Sequence, residues 1–529
     1  MPDLAVLYNP NVSMPQERAV TATVLTKNSE NKIGNCLSAL KSFPEVVVLD
    51  NGSTDKTLEI AAKFENVKVF RSEFIGFGAL KNLAAAHASN NWIFSVDSDE
   101  TVTEKLAESI LTHRLNPDEI GTVHRRNHYR GRRIDACGWQ NDISKRLYNR
   151  KHVTFSDSLV HESLAGSNRT IRLRGDLNHF PFDNASQLLD KAQFYSSLYA
   201  AENRFRRRSS IFKAAARSVT TFVRDYIFKY GFLYGQDGLF ISGANATGAF
   251  YKYAKLYEAN KNLSVSLIVT TYNRPDALEL VLLSLKEQTE LPDEVIIADD
   301  GSGQETRELL ERYKPDFPVP IVHCWQRDEG FRLAQIRNKA AAAAGCEYMI
   351  VVDGDMLLHR DFVKGHKRAA WKGRYVQGSR VWFSEDDAES VIKSGDINSL
   401  PSFQKKENWL RSINSPFLSK LFSRVTRQLE GVKGCNMAFW KEDCIKVNGF
   451  NEDFKSWGRE DSEFVARLMN SGVQRLNLRF AGIAYHLSHT EVPRPQIASN
   501  DKLLQRTISE KLKYCENGIV KERSSVLGL

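Results

Sequence analysis

The sequence has no long apolar run, no paired-cysteine motif and no intact nucleotide fingerprint, and each absence excludes a class. No stretch approaches the roughly 20 apolar residues needed to cross a bilayer. The opening residues, MPDLAVLYNPNVS, lack the charged and apolar regions of a secretory signal. The chain is therefore expected to stay in the cytoplasm. Its seven cysteines are odd in number and scattered, with no C-x-x-C pair. That argues against structural zinc and for free thiols in a reducing compartment. Without G-x-x-x-x-G-K-[ST] a P-loop is out, and without a complete G-x-G-x-x-G after a first strand a dinucleotide oxidoreductase is disfavoured. Neither Asp50 nor Asp299 opens an EF-hand loop, which needs acids at alternate positions and a closing Glu.

What is present fits an ordinary globular chain. Its 529 residues are too many for one core and suggest about two to four domains. Hydrophobic content is 42% and charged content 26%, both usual values. The formal charge of +9 suits an anionic partner: nucleic acid, an anionic membrane or a phosphorylated substrate.

The chain reads as one pattern used twice. Residues 1–18 are an irregular leader broken by proline and Asn-Pro. From Ala19 strand and helix alternate. Strands are expected at Ala19–Thr26, Glu45–Leu49, Val67–Phe70 and Trp92–Val96, with helices at Asn35–Ser42, Lys56–Phe64 and Leu80–Ala88. The series restarts after Asn262, with strands at Val265–Thr270, Glu294–Ala298, Pro320–Cys324 and Tyr348–Val352. Such alternation means a doubly wound α/β sheet. Four motifs recur in order: Thr26-Lys27-Asn28 with Thr271-Tyr272-Asn273, Asp50-Asn51-Gly52-Ser53 with Asp299-Asp300-Gly301-Ser302, Lys81-Asn82 with Arg337-Asn338, and Asp97-Ser98-Asp99 with Asp353-Gly354-Asp355. A repeat in fixed order is a duplicated fold.

The marked acids all follow strands, where open α/β sheets bind ligands. Two carboxylates on one strand tip repel each other and resist desolvation. A divalent cation relieves both problems and in turn holds phosphate oxygens. Between the copies, Arg204, Arg206, Arg207, Arg208 and Arg217 precede or decorate an amphipathic helix. One side carries Phe212, Ala216, Val219, Phe222, Val223, Tyr226, Ile227 and Tyr230. Such a helix either lies in an anionic membrane interface or packs on its own domain. Arg125, Arg126, Arg130, Arg132 and Arg133 form a second basic cluster, suited to a phosphorylated acceptor.

These motifs resemble inverting family-2 glycosyltransferases of the GT-A fold, from about Ala19 to His489. The resemblance implies two nucleotide-diphospho-sugar transferase, Rossmann-like domains in tandem, joined by the basic helical segment. The implied boundaries are 1–18 leader, 19–200 first domain, 201–260 helical tail or linker, 261–490 second domain and 491–529 C-terminal tail. It also implies that Asp50, or Asp299 and Asp300, contacts the uracil and ribose of a UDP-sugar. Asp97 and Asp353 then bind ribose, while Asp99 and Asp355 hold Mn2+ or Mg2+.

Phe450-Asn451-Glu452-Asp453-Phe454 with Trp457-Gly458-Arg459-Glu460-Asp461 resembles the W-G-x-E-D segment of β-galactosyltransferases and chondroitin-polymerase-type enzymes. Asp461 is then the general base, Glu460 an acceptor ligand, and Arg337 and Trp457 substrate contacts. His486 is the implied late metal ligand, with His489 as rival, and Gly434-Cys435-Asn436-Met437-Ala438 the acceptor-side loop. The first half resembles lipopolysaccharide-core β-1,4-glucosyltransferases through Val46–Asp55, Asp97–Glu100, Leu159-Val160-His161-Glu162 and Leu177-Asn178-His179. It lacks W-G-x-E-D, so Glu162 is the expected base and His179 the expected metal ligand.

The resulting expectation is a cytoplasmic bifunctional hexosyltransferase, peripheral on the inner membrane. It would use UDP-sugars on a lipopolysaccharide-core or other glycan acceptor, with no nucleic-acid partner. The rivals are a two-site capsular polysaccharide polymerase, and a chain in which one copy only binds acceptor or membrane.

Overall fold

The computed structural model of the chain describes residues 19–156, 163–166, 169–383, 385–394, 409–487 and 497–521. The chain forms two compact units, Met1–Lys261 and Asn262–Leu529. In the first, the strands Val67–Arg71, Glu45–Asp50, Val20–Thr26 and Trp92–Asp97 lie side by side in that order, all parallel. Val46, Val47, Val48 and Leu49 are wholly buried, as a β-branched run covered on both faces must be. Antiparallel Asp142–Asn149 then extends the sheet, followed by Ile120–Tyr129, Thr170–Phe182 and Glu100–Val102.

The second unit repeats the plan. Ile321–Trp325, Glu294–Asp299, Val265–Thr271 and Tyr348–Asp353 are parallel neighbours, and antiparallel Asn436–Trp440 continues the sheet. A three-stranded sheet of Met356–Leu358, Ile483–His486 and Ser379–Trp382 stands beside it. The registers agree as well. Thr26 lies opposite Asp50 and Leu25 opposite Asp97; Thr271 lies opposite Asp299 and Thr270 opposite Asp353. In each unit two acids therefore end the strands that flank the first strand, where strand order reverses.

The loop after each first strand is built alike. Asn28 and Asn273 both sit at φ 48°, a left-handed conformation that asparagine tolerates. Their backbone N–H groups donate to Ser53 Oγ and Ser302 Oγ, each at 2.9 Å.

The helical part of the first unit begins at Ala185, earlier than residue 201. Asn184 starts it, its side chain accepting from Gln187 N, and Ala185–Asn203 buries Leu188, Ser196, Tyr199 and Ala200. Ile211–Val223 and Gly235–Ala259 complete the layer. No described helix is long and apolar enough to cross a membrane. All seven cysteines are free.

The C-terminal segment belongs to the second unit's packing. Ile497–Ser509 lies against Glu460–Asn470. Asn448, buried and at φ 67°, donates through Nδ2 to Cys515 O at 2.8 Å and Val520 O at 2.9 Å, while its Oδ1 accepts from Val520 N at 2.8 Å. Asn448→Ala strands buried polar groups and strains a left-handed position. It is expected to lower the unfolding free energy of this unit by about 2–4 kcal/mol, measured by urea denaturation.

Candidate functional site

In the first unit Asp50 closes its own loop, accepting from Gly52 N at 3.2 Å and Ser53 N at 3.1 Å. Asp97 faces two cations, Lys81 Nζ at 3.5 Å and an Arg146 guanidinium nitrogen at 3.1 Å. Burial opposes its charge, but Lys81, Arg146 and Arg125 outweigh it and hold the carboxyl far below the usual range. Arg146 also reaches the wholly buried Glu100 at 2.5 Å, whose carboxyl burial pushes up. Asp99 lies 3.3 Å from His179 Nε2. Nδ1 of that ring contacts Asn127 Oδ1 at 2.6 Å, which assigns the Nδ1 proton. Burial opposes the charge of Asp99, and the contact with His179 outweighs it and lowers the carboxyl.

The second unit carries the corresponding groups. Asp299 accepts from Gly301 N at 3.2 Å and Ser302 N at 2.7 Å, and His323 Nε2 lies 3.0 Å away. Burial resists its charge, and His323 and Ser302 overcome that to lower its carboxyl. Asp300 accepts from Arg332 N at 2.9 Å; burial still leaves it raised. Asp353 accepts from Thr270 Oγ1 at 2.9 Å and pairs with Arg337 at 3.1 Å. Asp355 lies 3.5 Å from His486 Nε2. That histidine is held at the tip because Met356 pairs opposite it across two antiparallel strands.

Arg337 is 1% exposed and links two regions. Its other terminal nitrogen lies 3.4 Å from Glu460 Oε1. Arg337, Asp353, Trp457, Glu460 and Asp461 line a cavity of about 300 Å³. Burial, and then the neighbouring Asp461, push Glu460 up to about 7. Burial raises Asp461 too. Glu460 and Asp461 open the helix Glu460–Asn470, and Arg459 enters it at φ 76°. The two acids thus face a cavity rather than merely complementing a helix end.

Each tip offers one carboxylate and one imidazole, donors that suit a hard divalent ion such as Mn2+ or Mg2+. Among the described residues no three His, Cys, Asp or Glu side chains form a ready cage. A cation held there keeps positions for ligand oxygens.

Several partners could not be read from spacing. Arg146, Asn127 and His323 reach the tips only through strand pairing. The expected arginine cluster is largely neutralised by acids: Arg125 meets Asp142 at 2.7 Å, Arg126 meets Asp176 at 3.2 Å, Arg132 meets Asp237 at 3.4 Å and Arg133 meets Asp135 at 2.8 Å. Glu162 and His489 lie outside the described residues.

The model of glycosyl transferase family 2 matches residues 21–169 and 266–428. A second model, the N-terminal domain of galactosyltransferase, matches residues 420–490. The chain is 31% identical over 257 residues to a chondroitin synthase of Pasteurella multocida, covering 43% of this chain and 25% of that protein. It therefore spans about a quarter of that relative's length. An uncharacterized glycosyltransferase of Rickettsia typhi is 27% identical over 263 residues, covering 46% of this chain and 87% of that one. Among solved structures, a mannosyltransferase from Pyrobaculum calidifontis in complex with GDP-Man and Mn2+ is 18% identical, with a TM-score of 0.32, over 47% of this chain and 72% of that one. With one family matched in both units, the chain belongs to glycosyl transferase family 2 and is a glycosyltransferase.

Proposed function

We propose that the chain is a bifunctional inverting hexosyltransferase with one transfer site in each unit. One observation carries this reading: a carboxylate and imidazole pair, Asp99 with His179 and Asp355 with His486, recurs beside a cation-tethered acid, Asp97 with Lys81 and Asp353 with Arg337. Asp50 in one unit and Asp299 with Asp300 in the other take the uracil and ribose of a UDP-sugar. When bound, Mn2+ or Mg2+ at Asp99 and His179, or at Asp355 and His486, offsets charge on the departing diphosphate.

In the second unit an acceptor hydroxyl enters beside Trp457. Glu460 orients it, and Asp461 takes its proton as the oxygen bonds to the anomeric carbon and the bond to UDP breaks. Arg337 keeps Asp353 and Glu460 in fixed relation. In the first unit Glu162 takes the base role. The acceptor is a lipopolysaccharide-core glycan. The first unit adds a β-linked glucose and the second a β-linked galactose or N-acetylhexosamine. Tethering would raise the effective concentration of the intermediate. A two-site capsular polysaccharide polymerase is the second reading, favoured by the similarity to chondroitin and hyaluronan synthases.

The first unit works at the inner membrane face, through the outer side of its helical layer. Phe212, Val219, Phe228 and Leu233 are 86%, 63%, 73% and 64% exposed. Arg206, Arg207, Lys213 and Arg217 are exposed beside them. An apolar patch flanked by cations fits an anionic bilayer.

Asp461→Asn is expected to lower transfer by the second unit about 10²–10⁴-fold while leaving UDP binding unchanged, measured with UDP-sugars and Mn2+. The base acts deprotonated, so this transfer should rise with pH. Its apparent midpoint should lie above that of ordinary carboxylates, because burial raises Asp461. Glu460→Gln removes a like charge and should move that midpoint down, as read from kcat/KM against pH. In flotation assays the protein should bind vesicles with 30% phosphatidylglycerol and not pure phosphatidylcholine. Phe212→Ser with Phe228→Ser should abolish binding without changing transfer to a soluble acceptor.

A further inference from the structure

Beside the donor edge of the first unit lies a separate cavity of about 600 Å³. Its wall shares Arg125, His179, Lys191 and Tyr195 with the edge that holds Asp97 and Asp99. The rest comes from the helical layer, from the loop before Asp142 and from the strand residues Asn127, Pro181 and Phe182. Two carboxylates line it, and both are already satisfied. Asp142 accepts from Arg125 at 2.7 Å and Asn127 at 3.0 Å. Asp225 accepts from Arg224 at 2.7 Å and Asn245 at 3.0 Å.

Three lysines remain, each from a different part of the layer. Lys191 lies on Ala185–Asn203, Lys229 directly follows the turn Arg224–Phe228, and Lys252 lies on Gly235–Ala259. Among the described residues none of the three forms a salt bridge with a carboxylate, although Asp99, Asp97 and Glu100 attract Lys191 from the donor edge. Lys191 faces the Phe182 ring at 5.0 Å and Lys252 the Tyr199 ring at 3.9 Å. Burial pushes the ammonium groups of Lys191 and Lys252 below the ordinary lysine value. Arg125 also repels Lys191 and Arg207 repels Lys252, and an anion in the cavity would offset this excess of positive charge. Trp139, Tyr195 and Tyr199 add aromatic surface to the same wall.

We infer that this cavity binds the acceptor of the first unit, and that Lys191, Lys229 and Lys252 select a glycan bearing an anionic group, a phosphate monoester or a carboxylate. The inference rests on reading the adjoining edge as the donor site. The anion sits among the lysines, the sugar ring lies against the aromatic wall, and the hydroxyl to be glycosylated points past His179 toward Asp99. The choice of anionic acceptors thus falls to the lysines of the helical layer, while the arginines of the neighbouring sheet are taken up by acids.

The test is isothermal titration of the full chain with mannose 6-phosphate, glucuronate and uncharged mannose. At least one anionic sugar should bind ten-fold or more tighter than mannose, with affinity falling as salt rises. Preference for the phosphate or for the uronate names the anion, and either supports the inference. Lys229→Ala with Lys252→Ala, both remote from Asp99, should erase the preference. Mannose binding as tightly as both anionic sugars, or a double variant that keeps the preference, would overturn the inference. UDP binding with Mn2+, measured in the same samples, reports on the donor edge separately. Its absence would count against the transferase reading and not against the cavity.

Discussion

Arg337 is buried to 1% exposure and holds two acids apart and in place, Asp353 on the strand tip and Glu460 at the start of a late helix. A guanidinium so deeply buried is tolerable only while both carboxylates answer it. Glu460 depends on it the more, being buried with Asp461 beside it, while Asp353 stays partly exposed. This one cation therefore couples the strand tip of the second unit to the start of its late helix. Its counterpart, Lys81, tethers Asp97 in the same sense, and there Arg146 and Glu100 supply the rest of the network. Both units rest on one constraint: a strand tip carrying two acids needs a buried cation behind the first and a place for a cation at the second.

The units meet that constraint differently, and the difference bears on chemistry. In the second, burial leaves Glu460 and Asp461 raised in a small cavity in spite of Arg337. In the first, Asp97 is held firmly ionised, and its neighbour Glu100 is locked against Arg146 inside the sheet. What the first unit adds is a helical layer with an apolar outer face and lysines turned inward to the cavity. In the proposed function the two copies share how they hold an activated sugar and differ in how they meet an acceptor.

Much of this was legible from residue order. Runs such as Glu45–Leu49 and Tyr348–Val352 could only be buried parallel strands, and the acids after them had to gather at one edge. The repeat made Lys81 and Arg337 equivalent before any distance was known. What could not be read is what long-range pairing decides. Arg146 reaches Asp97 because Asp142–Asn149 runs antiparallel beside Trp92–Asp97, and His323 reaches Asp299 because their strands are neighbours. The arginines near Asn127 looked available in sequence, yet their acids arrive from other strands and helices. The C-terminal segment resembled a tail because its anchor, Asn448, lies far back in the chain.

The central claim is that the chain carries two independent transfer sites. The most direct test is mass spectrometry of the products made on a lipopolysaccharide-core acceptor by the full chain, by Asp99→Asn and by Asp355→Asn, with UDP-sugars and Mn2+. The account predicts that the full chain adds two different hexoses, that Asp99→Asn loses the first, and that Asp355→Asn stops after one. If either variant still adds both sugars at the unaltered rate, the corresponding unit is not a transfer site and the account is contradicted.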